Sequence, residues 1–480
     1  MTNAQIAVVG AGPAGLAAAA TAADLGLRVT LVDENGLPGG QFLRQPLPGV
    51  RKAGERRNEV RPPTESVSSS IEVHKTGERR DGTGSRLLRR MRRGDVELRL
   101  GTAVWGVDDE RTLWLLGPEG MDRLEARALV VATGAYDRPV AFPGWTLPGV
   151  MTAGAAQTLV KSSGVLPGRR VLLAGSGPFL LPVAQELLRA GATIVALAEA
   201  TGPGAWLGRA PRGWGHWDRL WEGWRYVRSL LAGRVPVLPG HVVARAEGDE
   251  RVRSATLTAV DGEWRPRPGT ERRFEVDALA VGYGFTAGTE LVRLLGCELR
   301  WGERQRQHLP SHDLDQRTSV PGVLVAGEAG GIGGAEVAFA SGRLAALAAA
   351  RELGVLAPGG FERLAAPVRR QLARHRRFAA IVNATFAPRA GLWELMSDDT
   401  VVCRCEEVTA GEVRAAIVPG LPDANALKAA TRVGMGLCQG RYCGPLVTEL
   451  VAAATGAPVS GVRPFGVRPP LRPVPFVMAG

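Results

Sequence analysis

Cysteine is scarce in this chain. There are five in 480 residues, too few for the disulfide framework of a secreted protein and consistent with a reducing cytoplasm. Long hydrophobic runs are missing as well. None approaches the roughly 18 apolar residues that span a bilayer. The apolar start, IAVVGAGPAGLAAAATAADLGL, lacks a preceding basic segment, and Asp24 interrupts it, so it does not read as a signal peptide. Aromatic residues are few, at 5%, against a net charge of +12. Much of the positive excess lies between Arg51 and Arg93, where no aromatic interleaves with the arginines of RRDGTGSRLLRRMRR. The stacking half of a single-strand nucleic-acid site is therefore absent, and nucleic acid is not an expected partner. The segment 51–93 reads as an irregular, solvated excursion, or else as a docking surface for an acidic partner subunit.

What is present is a chain of ordinary apolar content, 45%, with 63 glycines, long enough for about three domains. Residues 5–34, QIAVVGAGPAGLAAAATAADLGLRVTLVDE, carry the first clear motif. A buried strand, IAVV, runs into Gly10, Gly12 and Gly15 in G-x-G-x-x-G register. An Ala-rich helix opened by Pro13 and Ala14 follows, then a second strand ending at Asp33. Each part has a task in dinucleotide binding. Gly10 makes the turn, Gly12 lets backbone approach a pyrophosphate, Gly15 lets helix and strand pack, and the helix N-terminus faces the phosphates. Asp33, about 18 residues past Gly15, is placed to accept from a ribose hydroxyl, with Glu34 as the alternative.

Two later pieces point to FAD. LVVATGAYDRPVAFPG (129–144) is a buried strand ending at Thr133–Gly134. TSVPGVLVAGEAGGIGGAEVAFASGRLAALAAA (318–350) is a strand, then Gly327–Glu328, then a glycine turn into a helix. Together they resemble the second and third signatures of the glutathione-reductase-like flavoproteins. That resemblance implies that the acid after the last strand, here Glu328 in place of the usual Asp, holds the ribitol. It also implies that the next helix aims its N-terminus at the flavin, and that Gly40 and Gln41 lie along it. Disulfide-reducing relatives need a dithiol beside the flavin. Outside the C-terminal cluster this chain has only Cys297, which reads as a small buried hydrophobe, so that chemistry is excluded.

RRVLLAGSGPFLLPVAQELLRAGATIVALAEA (169–200) repeats the design with a damaged fingerprint. Leu180 stands where the third glycine belongs, and should either push helix and strand apart or fill the phosphate space. Three readings stay open: productive NAD(P)H binding with Glu199 at the ribose, a fold retained for structure, or a pocket for another nucleotide. Trp214, Trp217, Trp221 and Trp224 then recur at helical spacing and are expected to form a packing face, with partner docking as the alternative. His216 and His241 read as ordinary polar residues. VDALAVGYGFTAGTELVRLLG (276–296) is expected to return the chain to the first domain.

The remaining four cysteines, Cys403, Cys405, Cys438 and Cys443, sit in VVCRCEEVTA and GLCQGRYCG. Thr409 and Glu412 are spaced for a capping box, Asn425 for a second helix cap, and Pro445 for the first turn of a last helix. Structural zinc usually uses C-x₂₋₄-C pairs, and four thiolates suit a [2Fe–2S] cluster with two on each iron. On spacing alone both remain open. The stretch resembles the bacterioferritin-associated-ferredoxin-like [2Fe–2S] domain, and that resemblance makes the four cysteines its metal ligands.

The whole arrangement resembles the flavoprotein subunits shared by opine oxidases, hydrogen cyanide synthases and D-hydroxyproline dehydrogenases. It implies an α/β fold with two Rossmann-like dinucleotide-binding domains, the second inserted in the first, plus a small C-terminal helical [2Fe–2S] domain. The expected boundaries are 1–150 with 277–395, 151–276, 396–460, and a tail at 461–480. It further implies FAD and [2Fe–2S] cofactors and a cytoplasmic electron-transfer subunit, with peripheral contact at the inner membrane face compatible with it. The implied partners are a substrate-oxidising FAD subunit together with a small ferredoxin-like subunit. The alternatives are a self-sufficient NAD(P)H-dependent reductase and a non-enzymatic scaffold holding zinc.

Overall fold

The computed structural model describes residues 2–47, 50, 82–91, 94–108, 111–207 and 217–475. A seven-stranded sheet forms around the first strand. Thr2–Val9 lies between Val29–Asp33 and Gly120–Val131, both parallel to it, with Ile6 opposite Val29 and Ala128. Val323–Val325 continues the parallel part beside Leu129–Val131. The front half of Gly120–Val131 pairs instead with Leu113–Gly117 in an antiparallel hairpin that adds Ala103–Val107. Strands buried on both faces read as continuous apolar runs, and all five residues of Val29–Asp33 are buried.

The helix Pro13–Asp24 packs on Ala335–Glu352. Small side chains are required there, because a Cβ on Gly342 would stand 2.0 Å from the Ala14 carbonyl oxygen. Alanine fills this contact while keeping the highest helix propensity. A long helix, Pro358–Thr385, lies outside Ala335–Glu352.

A second sheet has five parallel strands, in the order Val237–Pro239, Thr193–Glu199, Arg170–Gly175, Ala278–Gly282 and Val150–Thr152. The sequence places Ala278–Gly282 in the return to the first domain. It is instead an inner strand of this second sheet, and the chain crosses back later, where Phe285–Ala287 pairs with Ala135–Asp137. A buried apolar strand carries no mark of which sheet will receive it.

The arginine-rich excursion also differs from expectation at its end. Thr83–Met91 is a helix that buries Leu88 and Met91 in the core beneath the first sheet; residues 51–81 lie outside the described residues. The tryptophan stripe does fall on a helix, Trp217–Ala232, but Trp221 and Trp224 are 65% and 53% exposed rather than packed. Trp214 and His216 lie outside the described residues, as does the side chain of Trp217. His241 is an ordinary polar residue whose ring meets the Pro239 carbonyl. Cys297 is buried, as expected.

The C-terminal unit is a short hairpin, Val401–Cys403 with Val408–Thr409, and helices Ala410–Ala416, Ala424–Thr431 and Cys443–Thr455. Thr409 and Glu412 form the capping box. The second helix is capped by Asp423, which accepts from the Asn425 N–H, rather than by Asn425. Asn425 is already inside the helix, and its amide reaches the Pro464 carbonyl of the tail. This unit shares one continuous apolar core with the five-stranded sheet, from Phe142, Trp145 and Leu172 to Val402, Val447 and Leu450. Trp145 also donates its indole N–H to the Val401 carbonyl at 2.6 Å.

Candidate functional site

The two sheets and the C-terminal unit enclose a cavity of about 1750 Å³. Ordinary small-molecule sites run to roughly 300–1,000 Å³, so a dinucleotide fits with room beyond it. The first glycine turn forms one wall. Gly15 must be glycine, since a Cβ there would stand 1.7 Å from the Gly10 carbonyl oxygen. A Cβ on Gly10 would stand 2.3 Å from the Ala132 oxygen, next to Thr133. Gly12 is different: a Cβ there would meet nothing within 4 Å, and the residue lines the cavity. It begins the helix at Pro13 with no side-chain cap, leaving a bare helix N-terminus for an anion. Gly40 folds over this turn, its Cβ position 2.8 Å from the Gly12 Cα.

The two acids at the end of the second strand play different parts. Asp33 is 9% exposed. It accepts the Ala11 N–H at 2.5 Å and the Asn35 backbone and side-chain N–H groups at 2.8 Å. Glu34 pairs with Arg472 of the C-terminal tail at 2.6 Å. Both line the cavity, as do Gln41, Thr133, Gly134, Gly327 and Glu328. Gln41 accepts from the Thr158 hydroxyl. Thr133 donates to the Gly288 carbonyl at 2.6 Å. Gly327 donates its N–H to Ser341 at 2.9 Å. Burial pushes the Glu328 carboxyl above the usual carboxylate range, against the pull of the Gly334 N–H that it accepts. Twelve of the thirteen residues expected around a flavin dinucleotide line this cavity, Gly15 packs against Gly10, and the donor set fits FAD.

The second glycine turn has the same frame, and its Ser176, Gly177 and Pro178 line the same cavity. Gly175, Gly177, Pro178 and Leu180 correspond in spacing to Gly10, Gly12, Pro13 and Gly15. Leu180 is 1% exposed and does not force the fold apart. The glycine has moved to the neighbouring strand, where a Cβ on Gly282 would come within 3.2 Å of the Leu180 side chain. In front of Gly177, where Gly12 is open, stands Phe386, 3.7 Å from the Cβ position. Phe386 ends the long helix Pro358–Thr385, 209 residues away in sequence. Glu199 spends its carboxylate on the Gly177 and Thr201 N–H groups, each at 2.9 Å, and burial raises its pKa.

The four C-terminal cysteines come together. Cys443 shares hydrogen bonds with Cys403 and Cys438, and Cys438 with Cys405. Gly436 permits this, because a Cβ there would lie 2.2 Å from that of Cys405. The Cys403 thiol is pulled down to about 6, first by Cys443 and then by the N–H groups of Gly434, Glu406 and Cys405. Cys438 is pulled down to about 5 by Cys443 and by the Tyr442 and Gly440 N–H groups. The hydrogen bonds that Cys443 gives to these two raise its own pKa, and burial raises that of Cys405. Backbone donors converging on sulfur are what a thiolate-ligated cluster requires. Four thiolates with these backbone donors suit a [2Fe–2S] cluster, two sulfurs to each iron.

Residues 4–342 match the pyridine nucleotide-disulphide oxidoreductase family, and residues 401–453 the BFD-like [2Fe-2S] binding domain. This chain belongs to that oxidoreductase family. Along 97% of its length it is 34% identical to the opine oxidase A-type subunit of Rhizobium meliloti (strain 1021), covering 96% of that protein. It is 35% identical to the hydrogen cyanide synthase subunit HcnB of Pseudomonas aeruginosa, with 99% and 98% of the two chains covered. Its fold is shared with the crystal structure of L-proline dehydrogenase from P. horikoshii. The TM-score is 0.69 at 20% identity, covering 100% of this chain and 80% of that one. The chain is an FAD-dependent oxidoreductase carrying a [2Fe–2S] domain. No helix among the described residues is long and apolar enough to cross a membrane.

Several residues at this site carry no sequence signature. Arg441, between the last two cysteines, donates to the Cys438 and Leu471 carbonyls and lies 3.2 Å from Glu290. Tyr136 donates to Glu290 and accepts from Arg472. These contacts run from the cluster loop to Glu34. Only the position of Arg441 between two cysteines could have drawn attention to it.

Proposed function

We propose that this chain is the electron-transfer subunit of a hetero-oligomeric amino-acid or amine dehydrogenase or oxidase, of the opine, glycine or hydroxyproline type. A partner flavoprotein oxidises the substrate, and a small ferredoxin-like subunit completes the complex. When bound, FAD supplies two-electron and the [2Fe–2S] cluster one-electron chemistry, the combination that divides an electron pair. Gly12 and the bare helix N-terminus at Pro13 hold the pyrophosphate, Asp33 with Glu34 the adenosine end, and Glu328 the ribitol. Gly10, Ala14, Gly15, Gly40, Gln41, Thr133, Gly134 and Gly327 shape the bed. Cys403, Cys405, Cys438 and Cys443 hold the cluster. The enzyme works in the cytoplasm or peripherally at the inner membrane face.

The observation that carries this reading is the contrast between the two glycine turns. The first is open beside the cluster loop, whose Arg441 and Tyr442 line the same cavity. The second borders the cavity too, but Phe386 packs against its Gly177 and Leu180 replaces its third glycine. A chain with no clear nicotinamide seat takes its electrons from elsewhere. Full-length relatives named as subunits support a partner as the source. Co-expression with an amino-acid-oxidising flavoprotein encoded beside it tests the proposal. The two should co-purify and bleach together on addition of substrate; a chain that never binds such a flavoprotein contradicts it.

A further inference from the structure

A second cavity, of about 170 Å³, lies where the cluster unit meets Arg138 and the segment 286–308. Its wall is strongly basic: among the described residues six cations face it against two carboxylates, an excess of four positive charges. His308 also faces it, but burial lowers its pKa and it adds no charge at neutral pH. Two cations are matched locally. Arg306 grips Glu449 through two hydrogen bonds of 2.9 and 2.6 Å, and Arg441 lies 3.2 Å from Glu290.

The other four have no carboxylate within ion-pair distance among the described residues. Arg138 is 4% exposed, and its guanidinium reaches only the Phe285 and Gln305 carbonyls. Its Nε is buried with no partner. Arg293 gives one N–H to the Phe465 carbonyl. Lys428 sits 4.7 Å above the Phe465 ring, and Arg468 stands exposed at the mouth. The first turn of Cys443–Thr455, which begins without a side-chain cap, faces the same space through Gly444 and Pro445 and adds the positive end of a helix dipole.

Burying cations without counter-charge is unfavourable, so something anionic belongs here. The cluster thiolates answer only part of the need. Burial and Arg468 lower the Lys428 pKa against the pull of the Cys443 sulfur, and burial lowers those of Arg138 and Arg293 against the more distant Glu449 and Glu290.

We propose that this cavity binds a small dianion of the phosphate class, held between Arg138 and Arg293 on one side and Lys428 and Arg468 on the other. Cations that approach from several directions suit a tetrahedral oxyanion better than a planar carboxylate. The volume admits free phosphate and excludes a nucleotide. The bound anion is an electrostatic joint between the cluster unit and the segment 286–308.

Titration calorimetry of the holoprotein with inorganic phosphate, in low-salt buffer balanced with chloride, tests this. One equivalent should bind with a sub-millimolar dissociation constant. Arg293→Gln should weaken binding at least tenfold. Arg468→Gln, at the exposed mouth and therefore safe for folding, should weaken it severalfold. Acetate and a nucleoside monophosphate should give no saturable binding. Phosphate should also raise the melting temperature of the wild type but not of Arg293→Gln. The proposal is overturned by absence of saturable phosphate binding, by an equal response to acetate, or by binding that neither Arg293→Gln nor Arg468→Gln weakens.

Discussion

Glu449→Ala should loosen the cluster unit from the hairpin formed by Leu299–Gly302 and Gln307–Pro310. Glu449 lies on Cys443–Thr455 with its side chain 8% exposed, and Arg306, with 24% exposed, comes from the loop before Gln307–Pro310. Their two hydrogen bonds, at 2.9 and 2.6 Å, are charge-assisted and bidentate. Removing one partner of a buried pair typically costs about 3–5 kcal/mol, chiefly because the remaining charge is stranded. Arg306 keeps some water, so the lower end, about 3 kcal/mol, is expected here. Replacing both with apolar side chains, Arg306→Met with Glu449→Leu, should recover the loss to within about 1 kcal/mol. Urea denaturation of wild type, Arg306→Met, Glu449→Leu and the double variant would give the coupling energy. The reasoning fails if Glu449→Ala costs less than about 1 kcal/mol, or if the double variant is no more stable than the single.

Gly12→Val places a side chain into the open face of the first glycine turn; flavin bound per protein should fall at least tenfold with the far-ultraviolet dichroism unchanged. Cys405→Ser should abolish the iron–sulfur absorption while flavin content stays near that of the wild type, and retained iron and sulfide would count against the ligand assignment. Glu328 is a carboxyl whose folded pKa is raised by burial. The folded state then holds its proton after the unfolded chain has released it, so stability falls as pH rises from about 4.5 through the folded pKa. Glu328→Gln should flatten that fall in the flavin-free protein, seen as melting temperatures that converge with wild type at acid pH and exceed it near neutrality.

Much of this site is legible in the sequence because its logic is local. Gly10, Gly12 and Gly15 lie within six residues, and the helix and strand that complete them follow directly. The cysteines stand out because the rest of the chain nearly lacks them. Contacts made by tertiary packing are not legible. Phe386 reaches Gly177 from the end of another helix, and Arg472 reaches Glu34 from the tail. Leu180 announces a missing glycine, but the compensating Gly282 lies on a strand whose sheet the sequence does not reveal. The tryptophan spacing identifies a helix correctly. It says nothing about which face is covered, and Trp221 and Trp224 are left in solvent. Asp423 and Asn425 are both good capping residues, and only the backbone geometry decides between them.

The central claim is that electrons enter this chain from a partner and not from nicotinamide. An anaerobic visible spectrum of the purified protein, taken before and after NADH or NADPH is added, tests it most directly. Flavin and iron–sulfur bands that stay oxidised are the predicted result, given Phe386 against Gly177 and Leu180 in the place of the third glycine. Bands that bleach at once would contradict the account, and the chain would be a self-sufficient reductase.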